Sequence, residues 1–182
     1  MPHPRLRFRL LAPFAGILAL AGCTITVPEG VTPVTGFQID RYLGQWYEIA
    51  RLDHRFERGL TNVTATYELK EDGDVRVLNR GFNTNSCRFE DQEGNATFVG
   101  DPDVASLAVS FFGPFAGGYH VIELAPDYSY AVVSGSTKDF YWILSRTPQI
   151  RPALLDRLIA DAEANGYPTE ELIIVGQGNP PC

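Results

Sequence analysis

The sequence predicts an all-β domain, an eight-stranded up-and-down antiparallel barrel with one C-terminal α-helix packed outside. Three observations carry this. Alternating apolar and polar residues recur along the middle of the chain, the connections are short and rich in Gly, Asp and Pro, and only one segment has helical periodicity. Closing the sheet removes exposed strand edges. Ten strands or an open sandwich fit the same periodicity.

The first strand surrounds Trp46 in "RYLGQWYEIARLDHRFERG". Next, "NVTATYEL" (Asn62 to Leu69) alternates Val63, Ala65, Tyr67 and Leu69 with polar residues. "EDGD" (Glu71 to Asp74) is a hairpin turn in which Gly73 supplies a positive φ, and "VRVLNRGF" (Val75 to Phe82) returns. "NATFVG" (Asn95 to Gly100), "SLAVSFF" (Ser106 to Phe112), "YHVIEL" (Tyr119 to Leu124), "YSYAVVSG" (Tyr128 to Gly135) and "FYWILSR" (Phe140 to Arg146) complete the set. The helix is "RPALLDRLIADAEANG": Leu154, Leu155, Leu158, Ile159 and Ala162 share one arc, Pro152 suits the first turn and Gly166 the C-terminal cap. "ELIIVGQ" (Glu171 to Gln177) is a last short strand.

The chain opens with Arg5, Arg7 and Arg9, an apolar run from Leu10 to Leu20, and "LAGC" at Leu20 to Cys23. The run is short for a transmembrane helix and ends in small residues, as a cleaved signal peptide does. "LAGC" resembles the lipobox of bacterial lipoproteins. That resemblance implies a signal over residues 1–22, lipidation of Cys23, a lipidated tether over 23–35 and the folded domain over 36–182. Thr24 after the cysteine implies delivery to the outer membrane; the periplasmic face is the expected side.

Loss of the leader's three arginines takes the formal net charge from −7 to −10. So acidic a chain is not expected to bind nucleic acid, and the lipid anchor is left to hold it at the membrane. With Cys23 lipidated, Cys87 and Cys182 remain as a pair in an oxidising compartment and are expected to form a disulfide.

A small barrel that holds a ligand must be plugged at one end. A tryptophan on the first strand can plug it, a glycine before it lets the chain turn in, and an arginine from the last strand can lie over the indole. Gly44, Trp46 and Arg146 are the candidates. "GQWYEIAR", "PDYSYAVVSG" and "LSRTP" then resemble, in order, the three signature segments of the lipocalin family, with Gly44 and Trp46, Asp127 and Tyr128, and Arg146 at the matching positions. "RYLGQWYEIARLDHRFERGL" and "SFFGPFAGGYHVI" are similar to its outer-membrane lipoproteins in bacteria. The resemblance implies a ligand-binding calyx, a preference for lysophospholipids or fatty acids in envelope maintenance, and a tendency of the soluble domain to dimerise. The Cys87–Cys182 pair is closer to the tail disulfide of animal lipocalins.

Alternation from Trp46 and Arg146 puts Glu48, Ala50, Phe140, Trp142 and Leu144 inside. Matching to lipocalin strands adds Val77, Asn79, Phe111, His120, Ile122, Ala131 and Val133. Of these, Glu48, Val77, Asn79, Phe111, His120, Ile122, Val133, Phe140 and Trp142 are the candidate ligand contacts, and Arg51, His54, Arg55 and Arg58 are candidates for a headgroup phosphate or carboxylate. No cofactor or metal is expected: Cys and His lack ligand spacing. Nor is an enzyme expected, because Ser110, His120 and Asp127 come without a Gly-x-Ser-x-Gly elbow. The rival reading is an envelope scaffold or partner-binding module whose barrel is filled by its own side chains. "SFFGPFAGGY" is too apolar for a plain solvent loop and suits a lid, a dimer patch or a membrane-dipping tip.

Overall fold

The computed structural model describes residues 25–182. A short helix α1 (Ile39–Tyr42) leads into eight strands: β1 (Gly44–Leu52), β2 (Leu60–Leu69), β3 (Val75–Asn83), β4 (Arg88–Phe98), β5 (Ser106–Phe112), β6 (Phe115–Leu124), β7 (Tyr130–Ser134) and β8 (Tyr141–Ser145). Each pairs antiparallel with the next, and β1 pairs with both β2 and β8, which closes the barrel. Helix α2 (Pro152–Ala164) packs outside, and β9 (Leu172–Ile174) adds to β1. Periodicity starts the fourth strand at Asn95, whereas β4 begins at Arg88. Arg88 to Glu93 are exposed, so neither face is marked by apolar residues, and only the ladder to β3 reveals the strand.

The closed end is built on Trp46, which is fully buried. Its indole N–H donates to the Tyr42 carbonyl at 2.8 Å, and the Arg146 guanidinium lies 3.9 Å above its ring. Arg146 also donates to the carbonyls of Arg41 (2.7 Å) and Gln45 (2.9 Å), tying β8 to α1 and β1. Gly44 has φ +88°, a backbone conformation that glycine adopts without a Cβ penalty and that turns the chain in ahead of Trp46. Tyr128 also has a positive φ, 60°, unusual for a bulky residue. Its hydroxyl accepts from the Gln38 N–H at 2.9 Å and Arg41 covers its ring at 4.1 Å, which offset the strain.

Two cores result. Inside the barrel, Trp46, Tyr67, Val75, Val77, Ala96, Leu107, Val121, Ala131, Val133 and Leu144 pack together. Between wall and α2, Ile49, Ala50, Val132, Tyr141 and Ile143 meet Leu158 and Ala162. Ala50 is therefore outside, against expectation. The register of β1 on β8 shifts between Glu48 and Ala50, and this one-residue bulge sends Ala50 to the helix side and Arg51 inward.

Strands β1 and β2 pair only from Gly44 to Tyr47 and then diverge. The C-terminal tail fills the gap. Val175 N–H donates to the Ile49 carbonyl and Asn62 N–H to the Gly176 carbonyl, while the Gln177 amide donates to Glu48 (2.7 Å) and Val63 (2.8 Å) carbonyls, one on each diverging strand. The tail ends at Cys182, joined to Cys87 beyond β3 with Cα atoms 5.8 Å apart.

Of the residues expected to be a tether, those described are seated on the wall. Val34 N–H donates to the Val121 carbonyl and the Val34 carbonyl accepts from Ala105 N–H. Val31 packs against the helix-side core, and Thr26 reaches His120 and Ser136.

Arg146→Ala should cost about 2–3 kcal/mol in urea denaturation, since it removes the cation–π contact and two carbonyl bonds together. Loss of the Cys87–Cys182 link in a Cys87→Ser/Cys182→Ser chain should cost up to about 4 kcal/mol for a loop of 95 residues. Retained stability would mean that the tail's hydrogen bonds hold it unaided.

Candidate functional site

The end opposite Trp46 is framed by the β1–β2 loop, the β3–β4 turn, the β5–β6 tip and the β7–β8 loop. Just below this rim the bulge in β1 creates a buried charged group. Arg51 is 2% exposed and Glu48 3%. One Arg51 nitrogen donates to the Glu48 carboxylate at 2.6 Å, and another donates to the carbonyls of Glu57 (2.9 Å) and Leu60 (3.0 Å). The Glu57 carboxylate lies 3.8 Å from the Arg51 Nε and accepts from the Trp142 indole N–H at 3.2 Å. His54 Nε2 stands 3.0 Å from the same carboxylate, but off the line of a hydrogen bond. Rings close the group: His54 is 5.2 Å from Trp142 and 5.6 Å from Phe140 between centroids, and Phe140 stacks on Trp142.

The two carboxyls differ in their supply of donors. Burial, then repulsion from Glu57, push the Glu48 pKa well above the ordinary carboxyl range against the pull of Arg51. Burial acts on Glu57 as well, but His54, Trp142 and Arg51 together outweigh it and hold its pKa below that range. Glu48 is thus the group that takes a proton first. Arg51, enclosed by one full carboxylate and one readily protonated, keeps its charge matched within the barrel.

Deeper, three tyrosines form a hydroxyl chain: Tyr42 to Tyr119 at 2.7 Å and Tyr119 to Tyr67 at 2.8 Å. Burial raises the pKa of all three, so they stay neutral. The buried Asn79 Oδ1 has no partner. A void of about 10 Å³, room for roughly one water, lies among Phe37, Tyr42, Tyr67, Val75, Leu107 and Tyr119.

The structure brings Glu48, Phe140 and Trp142 together and places Val77, Val133 and Phe111 in or against the inner core. Asn79 lies on the same inner face of β3 as Val75 and Val77. None of the nine candidate ligand contacts lines the small void. His120 and Ile122 are corrected, because the register of β5 on β6 pairs Leu107 with Tyr119 and puts Tyr119 and Val121 inside. Ile122 packs towards the helix. His120 bonds Ser106 at 2.9 Å and the Thr26 carbonyl at 3.0 Å on the outer wall. A carbonyl only accepts, so Nε2 carries the proton and Nδ1 accepts from Ser106; burial lowers the pKa of this imidazole.

Among the headgroup candidates, Arg58 pairs with Asp53 on the surface and Arg55 covers Phe56, while Arg51 and His54 turn in. Sequence reasoning passed over Glu57 and the three tyrosines. Glu57 sits in a loop without periodicity, whereas Tyr67 lies on the apolar phase of "NVTATYEL".

Glu48 makes a pH prediction. Its folded pKa is raised, so its contribution is fully present below the unfolded value of about 4.3 and is lost as pH rises through the folded value. Denaturation between pH 4 and 8 should therefore show a shallower decline with rising pH in Glu48→Gln than in the parent chain. Parallel curves would contradict this arrangement.

A family model described as a lipocalin-like domain matches residues 37–177. The chain is 50% identical over 163 residues to the outer membrane lipoprotein Blc of Citrobacter freundii, covering 90% of this chain and 92% of that protein. It is 34% identical over 153 residues to apolipoprotein D of Bos taurus, covering 80% and 79%. Among solved structures, insecticyanin from the tobacco hornworm Manduca sexta superposes with a TM-score of 0.67 at 18% identity, over 86% of this chain and 89% of that one, which bears on the fold alone. With its Trp46–Arg146 closure and this extent of match, the chain belongs to the lipocalin family.

Proposed function

We propose that this chain is an outer-membrane-anchored lipocalin, acylated at Cys23, that binds and carries lysophospholipids or fatty acids in its barrel for envelope maintenance. Cys23 lies outside the described residues; the anchor is supported by "LAGC" and by the name outer membrane lipoprotein borne by relatives such as Blc of Escherichia coli K12, 49% identical over 163 residues. Among the described residues no helix is long and apolar enough to cross a membrane. Catalysis is not part of this reading.

One observation carries the ligand class: an apolar, aromatic barrel interior whose mouth holds the Glu48–Arg51–Glu57 group beside Trp142 and Phe140. An acyl chain suits the interior, and a charged or hydroxylated head suits the mouth. Transfer of ten methylenes from water contributes about 8 kcal/mol before ordering costs, so micromolar affinity calls on head contacts at the mouth as well. Phe140, Trp142 and Phe111 must move aside to admit a chain.

A second reading, a barrel filled by its own side chains and used as a scaffold or partner-binding module, is favoured by the packed aromatic and aliphatic side chains of the interior, which leave a void of about 10 Å³ beside Tyr42, Tyr67 and Tyr119. Native mass spectrometry of the chain from Thr24 onward, purified without detergent from an oxidising compartment, separates the two, followed by lysophospholipid titration of tryptophan emission. Carriage predicts co-purified lipid or a saturable change, with affinity about tenfold weaker in Trp142→Ala. An empty protein without response to lysophospholipids or fatty acids puts the filled barrel first.

A further inference from the structure

Among the described residues the most exposed large apolar side chains stand at the mouth, whereas towards the closed end Leu69 (46%) and Val99 (38%) are less exposed. Phe115 is 71% exposed, Phe112 58% and Phe56 57%, on the β5–β6 tip and the β1–β2 loop. Gly113 at that tip has φ +58° with open space around it, so the hairpin projects freely. At the opposite end the corresponding turn is "KEDGD", Lys70 to Asp74, charged and hydrogen-bonded to itself through Asp72. The two ends of the barrel therefore differ in what they can dissolve in.

The path of the chain's beginning says which end meets a membrane. Residues 26–34 do not leave the barrel at the closed end, where the fold begins with α1. Val34 is bonded at the level of Val121 and Ala105. From there the segment runs along the outer wall towards the mouth. Thr26 is held by its carbonyl to the buried His120 and by its hydroxyl to the carbonyl of Ser136, in the β7–β8 loop at the rim. Cys23 is three residues before Thr26, so the chain holds it within about 10 Å of that residue. From His120 the closed-end terminus of β6, Leu124, is four residues away, about 13 Å, more than three residues of chain can span.

We propose that the seated segment delivers the acylated Cys23 to the mouth side, so that the barrel opens onto the lipid leaflet, with Phe115, Phe112 and Phe56 entering its interface. The occupant of the aromatic rim is a bilayer surface. A chain of net charge −10 after cleavage is repelled by anionic headgroups, so apolar insertion next to an acyl anchor does the docking, and a zwitterionic leaflet suits it. Phenylalanine on an apolar interfacial face buries at the boundary between headgroups and acyl chains. A lipid then passes between leaflet and barrel without crossing water, which a mouth facing away from the membrane would require.

This inference rests on acylation of Cys23, and its test keeps the two apart. Full-length protein, matured in cells, is reconstituted in phosphatidylcholine vesicles carrying brominated acyl chains, and mass spectrometry of the same sample reads the acylation. Tryptophan is introduced at the mouth in Phe115→Trp or at the closed end in Leu69→Trp, both at exposed positions, with the unsubstituted chain as background. Quenching several-fold stronger in Phe115→Trp than in Leu69→Trp is expected. An acylated chain quenched at Leu69→Trp instead, or at neither position, overturns the orientation while leaving the anchor. A second copy seated on the rim would give the latter result together with a dimer mass. A chain without acyl groups overturns the anchor and the orientation with it.

Discussion

The barrel depends on how it ends at Trp46. A closed sheet of eight strands leaves a column of space along its axis, and without a plug water would enter from both sides. The indole fills that column, its N–H is satisfied by Tyr42, and Arg146 covers the remaining face while holding carbonyls of α1 and β1. One side chain from the last barrel strand thereby fixes the first strand and the helix before it. The same contact sets the phase of β1, from which the inward positions further along that strand are counted until the bulge shifts them.

That phase has a costly outcome at the other end. After the bulge, Arg51 enters a space from which water is largely excluded, and an unmatched guanidinium there would be prohibitive. Glu48, Glu57 and two backbone carbonyls compensate it, and Trp142 and His54 complete the second carboxylate's surroundings. The interior is thus layered: an aromatic plug, an apolar middle crossed by the Tyr42–Tyr119–Tyr67 hydroxyl chain, and a charged group near the rim. An amphipathic lipid has the same gradient.

Both ends of the described chain serve the wall. The tail lies where β1 and β2 part, and Gln177 replaces with one amide the inter-strand bonds that the diverging strands have lost. The beginning of the chain occupies His120, a polar side chain that the outer wall would otherwise leave buried and unpaired on one side. These two segments convert an open seam and a buried imidazole into satisfied structure.

While the first half of β4 and the closing of eight strands needed the pairing, the sequence by itself determined most of the strands, the turns, the long helix and the plug residues of the closed end. Those rest on local periodicity and on residues whose chemistry admits few roles: Gly44 at positive φ, Trp46 beside it, Gly73 in a turn, and the one amphipathic arc on α2. The inner lining was legible in part. Glu48, Val77, Phe111, Val133, Phe140 and Trp142 follow from a period of two counted along uninterrupted strands or matched segments. What only the tertiary structure decided lies beyond a bulge or in a stretch with no distinct faces. Ala50 and Arg51 exchange sides because one extra residue in β1 inverts the alternation. In "YHVIEL" both possible phases offer apolar residues, so the pairing of β6 with β5, not its own sequence, turns Val121 in and His120 and Ile122 out. Glu57 in its loop, the path of the tail and the seating of residues 26–34 depend on partners far along the chain, and no local pattern encodes a contact whose other half is a hundred residues away.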